Sequence, residues 1–307
     1  MSRFTITIDS AGIPLAGHLY LPDTPAPGPR PAIVVGHPGS GVKEQVAGVY
    51  ARRLSERGFV TVAFDAAYQG ESGGEPHGLE DPAHRVEDLK AVVSYLTTRE
   101  EVDPERIGVL GICASGGYSL NATAGDHRIK ALGTVCAVDL SRHFRYGGDG
   151  TQDPSVVQGM LEAGAAARTA EAHGGTAGTM RVLPDTLEAA RAAGGEYGAE
   201  GFEYHTRIAF HPRSDSRFTL SSTDRIVSYD TFAAIPLIGQ RPVLMIAGTR
   251  AATSWMSIDA FQRLTGPKEF FWVEGATHQG LYYKDEYIDP AVERLAGFYA
   301  EKLGKAE

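Results

Sequence analysis

The chain has 307 residues, 42% of them hydrophobic and 22% charged, which is ordinary for a globular protein and enough for one large α/β domain carrying an insertion. A formal net charge of −9 argues against nucleic acid or an anionic membrane surface as the main partner. Two cysteines, Cys113 and Cys136, provide neither a disulfide framework nor metal-ligand spacing, and no apolar run approaches the roughly 20 residues of a bilayer span.

The start, Met1-Ser-Arg-Phe-Thr, runs directly into a strand-like pattern without the charged and apolar regions of a signal peptide. A cytoplasmic setting, which keeps a free thiol reduced, is therefore expected. Residues 4–8 and 15–21 alternate apolar and polar side chains around the turn Asp9-Ser-Ala-Gly12 and predict an antiparallel hairpin. A Pro-rich loop follows at 22–31, then a short, fully apolar strand at 32–36. Residues 44–57 carry Val46, Val49, Tyr50 and Leu54 at helical spacing and stop at Gly58. A buried strand at 59–64 leads into a loop at 65–82 and an amphipathic helix at 86–96. A strand at 107–112 turns into a helix at 114–124, and another strand spans 129–138. Strands at 242–247 and 269–273 and a closing helix at 291–303 complete the pattern.

Strands alternating with helices after a hairpin predict a mostly parallel, eight-stranded sheet covered by helices on both faces. The loops after residues 36, 64, 112, 138, 247 and 273 then share one rim, the ligand-binding edge of such sheets. Residues 140–237 break the rhythm. They are Ala- and Gly-rich and then aromatic (Phe202, Tyr204, Phe210), which predicts a mostly helical cap over a core formed by 1–139 and 238–307.

The most informative run is Ile107-Gly-Val-Leu-Gly-Ile-Cys113-Ala-Ser-Gly-Gly117. It reads as a strand turning sharply into a helix with cysteine at the tip. Gly111, Ser115 and Gly116 are small where such an elbow leaves no room for larger side chains. A thiol there sits at a helix N-terminus, where its pKa is expected to fall and its thiolate to act as nucleophile. Ser115 is the rival nucleophile in the same motif, but choosing it would move Gly111 out of its −2 place. His278, on the loop after the last strand, can accept the thiol proton and later activate water. The loop His37-Pro-Gly-Ser-Gly41 is Gly-rich. The N–H of Gly39, or second that of Ser40, can join the N–H of Ala114 as an oxyanion hole. The usual place for a third catalytic group, the loop Gly248-Thr-Arg-Ala-Ala-Thr-Ser254, has no carboxylate. Asp139, just after the strand at 129–138, is the preferred acid; it could equally be a helix N-cap, or the site could work as a Cys–His pair. Asp65 and Gln69-Gly-Glu-Ser-Gly-Gly74 read as structural.

Along nearly its whole length the chain resembles the α/β-hydrolase superfamily. The matching motifs are His37-Pro-Gly, Asp65 with Gly70-Glu-Ser-Gly-Gly74, Gly111-Ile-Cys-Ala-Ser115 and Gly275-Ala-Thr-His278. The elbow cysteine is similar to that of dienelactone hydrolases. Val42-Lys-Glu-Gln45, Asp103-Pro-Glu-Arg-Ile107 and Gly111-Ile-Cys-Ala-Ser-Gly-Gly-Tyr118 look closer to a branch that includes polyketide acyltransferases and thiohydrolases. The resemblance implies an acyl-transfer hydrolase acting on an ester, lactone or thioester. Its substrate would be a small acyl compound, free or carrier-linked. No cofactor or metal is implied, and a homodimer is allowed. Transfer to an alcohol, cyclisation, or a non-hydrolytic use of the fold are the alternatives.

Overall fold

A computed structural model of the protein describes residues 1–176 and 178–304. Strands β1 (Ser2–Ser10), β2 (Ile13–Leu21), β3 (Arg30–Gly36), β4 (Val60–Phe64), β5 (Val102–Ile112) and β6 (Ile129–Val135) form the first part of the sheet. A small hairpin, β7 (Thr179–Arg181) and β8 (Arg217–Thr219), intervenes before β9 (Val243–Gly248) and β10 (Lys268–Val273). The main sheet has eight strands in the order β1-β2-β4-β3-β5-β6-β9-β10. β2 runs antiparallel to β1 and β4, and every other pairing is parallel.

The helices are α1 (Val46–Ser55), α2 (Pro82–Thr97), α3 (Ala114–Gly125), α4 (Leu140–Tyr146), α5 (Pro154–Ala172), α6 (Leu187–Glu203), α7 (Thr223–Ser228), α8 (Ser254–Arg263), α9 (Gly280–Tyr283) and α10 (Asp285–Lys302). Period-two alternation divides the strand side chains between two cores. Val34, Val109, Val243 and Met245 pack with α2, α3 and α8 on one face. Ile33, Val35, Leu110, Leu244 and Ile246 pack with α1 and α10 on the other. Burying both faces is why these strands read as continuous apolar runs.

Differences from the sequence expectation have local causes. β6 ends at Val135, three residues early, because Cys136 turns the chain with a φ of 47°. α2 starts a turn early, capped by the Asp81 carboxylate accepting from Ala83 N–H, with Pro82 at its first position. α8 was not expected, and α10 begins at Asp285 with Pro290 inside its first two turns. Between β6 and β9 the chain carries α4 to α7 and the β7–β8 hairpin. No helix among the described residues is long and apolar enough to cross a membrane.

Candidate active site

β5 and α3 place Cys113 at their junction with φ 55° and ψ −120°, a conformation that costs a non-Gly residue about 1–3 kcal/mol and persists only when its surroundings enforce it. The neighbours leave no alternative. A Cβ on Gly111 would lie 2.3 Å from the Ser115 carbonyl oxygen, and one on Gly116 would lie 2.6 Å from Ala137 Cα. Ser115, the rival nucleophile, is committed elsewhere. Its buried hydroxyl donates to the His37 carbonyl at 2.6 Å and accepts from Arg85 Nη2 at 2.9 Å. Arg85 Nη2 also donates to the His37 carbonyl at 2.8 Å, tying the β3 loop to the start of α3. His37 itself is structural: its Nε2 accepts from the Ala66 N–H at 3.0 Å.

The structure brings Gly39, Ala114, Cys113 and His278 to one rim. The N–H groups of Gly39 and Ala114 both face the Cys113 sulfur, and so does the Tyr282 hydroxyl. Burial nevertheless pushes the thiol pKa up, and these three donors only offset part of that rise. The expected thiolate is thus corrected to a resting thiol. The helix terminus is present, but desolvation outweighs it.

His278 is 1% exposed and held at both nitrogens. Nε2 is 2.6 Å from the Tyr282 hydroxyl, and Nδ1 is 2.5 Å from Thr253 Oγ1. Thr253 lies just before α8, in the loop where an acid was sought. Asp139, expected to orient the imidazole, does not reach it. Its Oδ1 instead accepts from the Arg142 N–H at 3.2 Å and caps α4, with the Arg142 guanidinium 3.5 Å away. Tyr282 and Thr253 are the two site residues that sequence reasoning missed. The only available signals were the His278-to-Tyr282 spacing of one helical turn and the position of Thr253 ahead of α8. Asp65, read as structural, takes Lys43 Nζ at 2.8 Å and the Glu71 N–H at 2.9 Å, and a Cβ on Gly70 would lie 2.3 Å from its carboxylate.

A cavity of about 310 Å³ opens over Cys113 and His278. Val138, Leu140, Met160, Met180, Leu183 and Phe218 contribute to its apolar wall, so the segment between β6 and β9 supplies much of its lining. Among the described residues no group of three or more His, Cys, Asp or Glu could hold a metal ion.

Burial, with His143 nearby, pushes the His278 pKa down to about 3; burial alone puts His143 and His205 at about 4. Above pH 6.5 these imidazoles are neutral in the folded and the unfolded chain alike. Below it the unfolded chain takes up protons that the buried rings refuse, so their stabilising effect is complete above 6.5 and is lost as pH falls toward the folded values. His278 alone is expected to lose about 2 kcal/mol of stability at pH 5, at about 1.4 kcal/mol per pH unit. Urea midpoints at pH 7 and pH 5 check this: the drop should shrink in His278→Gln, and an equal drop in that variant would reject the assignment. The buried carboxylates of Asp65, Glu80, Asp88 and Asp139 have raised pKa values, so as pH falls the folded chain protonates them before the unfolded chain does, and they act with the opposite sign; comparing wild type with His278→Gln isolates the histidine from them.

The sheet order, the strained elbow between β5 and α3 and a histidine after the last strand define an α/β-hydrolase fold. The profile of the X-Pro dipeptidyl-peptidase (S15) family matches residues 11–280, and the chain belongs to that family. Membership places it among hydrolase-type enzymes. It is 43% identical over 273 residues to the uncharacterized protein YcjY of Escherichia coli K12, covering 89% of each chain. The crystal structure of the hypothetical protein PA2218 of Pseudomonas aeruginosa superposes with a TM-score of 0.89 at 36% identity, covering 98% of this chain and 94% of that one. The thiohydrolase aneE of Aspergillus aculeatus is 26% identical over 315 residues, with 97% of this chain and 95% of that protein covered.

Proposed function

We propose that the protein is an acyl-transfer hydrolase that cleaves an ester, lactone or thioester through an acyl-enzyme on Cys113. The observation that carries this reading is one hydroxyl, that of Tyr282, facing both the Cys113 sulfur and His278 Nε2, with the Gly39 and Ala114 N–H groups on the same sulfur. In the forward step the sulfur attacks the carbonyl carbon. The S–H proton passes to the Tyr282 oxygen as the Tyr282 proton passes to His278 Nε2. The carbonyl oxygen becomes an oxyanion facing Gly39 and Ala114 N–H. The imidazolium returns its proton by the same route to the departing alkoxide or thiolate, and water then cleaves the acyl-enzyme with His278 as base. Thr253 accepts from Nδ1–H and fixes the tautomer that leaves Nε2 free to accept.

One further observation narrows the substrate. The thiohydrolase relative favours thioesters and hydrolysis; transfer to an alcohol uses the same acyl-enzyme and differs only in the acceptor. The natural partner on this reading is a small acyl compound, free or carrier-linked, in a reducing compartment that preserves the thiol.

Peptide mass spectrometry after incubation with aryl esters and acyl thioesters tests the proposal. An acyl mass is expected on the Cys113 peptide, longer-lived in His278→Ala and absent in Cys113→Ala. Turnover that persists in Cys113→Ala with no adduct would overturn it.

A further inference from the structure

We propose that the leaving alcohol or thiol, and later the acceptor that replaces it, occupies a second cavity beside His278, and that this cavity excludes phosphate-bearing carriers, so that the natural substrate is a free ester or thioester. This rests on the reading of Cys113 as the acyl acceptor and chooses between the free and carrier-linked forms which that reading leaves open. The second cavity measures about 770 Å³ and meets the first at His278 and Tyr197, which line both. Cys113, Gly39 and the apolar side chains of Met160, Met180 and Phe218 line the first alone. A carbonyl carbon on the Cys113 sulfur has two substituents to place. The apolar cavity suits the acyl chain, and the departing atom must lie toward the imidazole that reprotonates it, the side on which the second cavity lies. Tyr197 stands between the two as a partition set by the backbone. α6 leaves helical geometry at Gly194 and Gly195, the latter with φ 57°, and two residues later the Tyr197 ring stands edge-on to the His278 ring at 5.3 Å. Gly148 makes way for that ring, since a Cβ there would lie 2.8 Å from Tyr197 Cε1.

The charge of the second cavity decides what it admits. Its walls carry Asp149, Asp153, Glu196 and Glu200 against the guanidinium of Arg250. Arg191 pairs with Glu196 at 3.2 Å, which still leaves carboxylates in excess. Asp149 accepts from the Thr151 N–H at 3.0 Å and its hydroxyl at 2.8 Å, and Asp153 accepts from the Ser155 N–H at 2.8 Å. These bonds hold both carboxyls below the usual carboxylate range, so both are charged at neutral pH. Asp149, Asp153 and Glu196 are exposed, and so stand where a long carrier arm would leave the protein. A cleft lined by one sign of charge lowers the local concentration of molecules of that sign. The phosphates of a phosphopantetheine arm or of CoA must pass these carboxylates, whereas an uncharged alcohol or thiol meets no such barrier.

The test uses the intact protein and octanoyl thioesters that differ only in the thiol: N-acetylcysteamine, pantetheine and CoA. Pantetheine carries the arm of CoA without its phosphates, so that pair separates charge from length. At low salt the pantetheine ester is expected to exceed the CoA ester at least tenfold in kcat/KM. Raising the salt from ~20 mM to ~500 mM shortens the screening length from ~20 Å to ~4 Å and should shrink that ratio fivefold or more. The combined variant Asp149→Asn, Asp153→Asn, Glu196→Gln and Glu200→Gln should shrink it as far at low salt, with asparagine keeping the cap of α5. CoA ester cleaved as fast as pantetheine ester at low salt, or a ratio unmoved by salt or in the variant, would overturn the exclusion and leave acyl transfer standing. If no thioester is cleaved, acyl transfer fails instead, and the charge question passes to the Cys113 thiol itself. Trimethylammonioethyl and sulfonatoethyl methanethiosulfonate each convert a thiol to a mixed disulfide with release of methanesulfinate. Relative to their rates with 2-mercaptoethanol, the cationic reagent is expected to label the Cys113 peptide at least tenfold faster, and to lose that preference in the combined variant. Equal relative rates in the unmodified protein would overturn the exclusion.

Discussion

Cys113→Ser is expected to lose at least a thousandfold in kcat/KM, close to the loss in Cys113→Ala. The two nucleophiles make different demands on the base. A hydroxyl must surrender its proton almost completely as it attacks, and the imidazolium so formed needs a counter-charge; a thiol is more acidic and more nucleophilic, and needs less help. This site supplies no counter-charge. The partner of Nδ1 is the neutral hydroxyl of Thr253, and burial keeps the His278 pKa near 3. Steady-state kinetics on an activated thioester makes the comparison. A serine variant within tenfold of wild type would mean that the base is stronger than its surroundings allow. The converse can also be built. Thr253→Asp places a carboxylate beside Nδ1, which raises the His278 pKa, and in the Cys113→Ser background it should recover at least tenfold. Asp139→Asn should change the rate less than about threefold, because Asp139 caps α4 and makes no contact with the imidazole.

The second large effect is expected at Tyr282. Tyr282→Phe retains the ring, whose centroid lies 5.2 Å from that of Tyr204 and 5.3 Å from that of His278, and removes only the hydroxyl between thiol and imidazole. Breaking a proton route of this kind should lower kcat by about a hundredfold or more with little change in KM, since the hydroxyl acts on the reacting atoms rather than on the acyl chain. A second readout separates this from a packing defect. The hydroxyl holds the Cys113 pKa down, so its loss should move the pH dependence of iodoacetamide alkylation of Cys113 upward. Unchanged kcat together with an unchanged alkylation profile would show that thiol and imidazole communicate without Tyr282.

The parts of this site that could be read from the chain were those enforced by backbone geometry. Gly111 and Gly116 announce the elbow because no other residue fits against Ser115 and Ala137, and His278 follows from its place after the last strand. The parts that could not be read depend on what the folded chain excludes. The helix N-terminus is visible in sequence, whereas the desolvation that outweighs its effect on Cys113 depends on burial in the folded chain, which the local motif does not show. Thr253 carries no signal of its own, because a neutral hydroxyl in that loop is indistinguishable in sequence from an ordinary residue ahead of a helix. Tyr282 escaped because a tyrosine near a helix is ordinarily core, and only the assembled site turns its hydroxyl toward two catalytic candidates. The early end of β6 likewise depends on a positive φ at Cys136, which nothing in its side chain announces.

The Arg85 guanidinium, joined to both the His37 carbonyl and the Ser115 hydroxyl, fixes the separation of the loop bearing Gly39 and the helix bearing Ala114. On the proposed mechanism, the two N–H groups that would face the oxyanion are thus held in place by the fold itself. Ordering them is a task completed when the chain folds, once in the lifetime of each molecule, and no turnover has to repeat it.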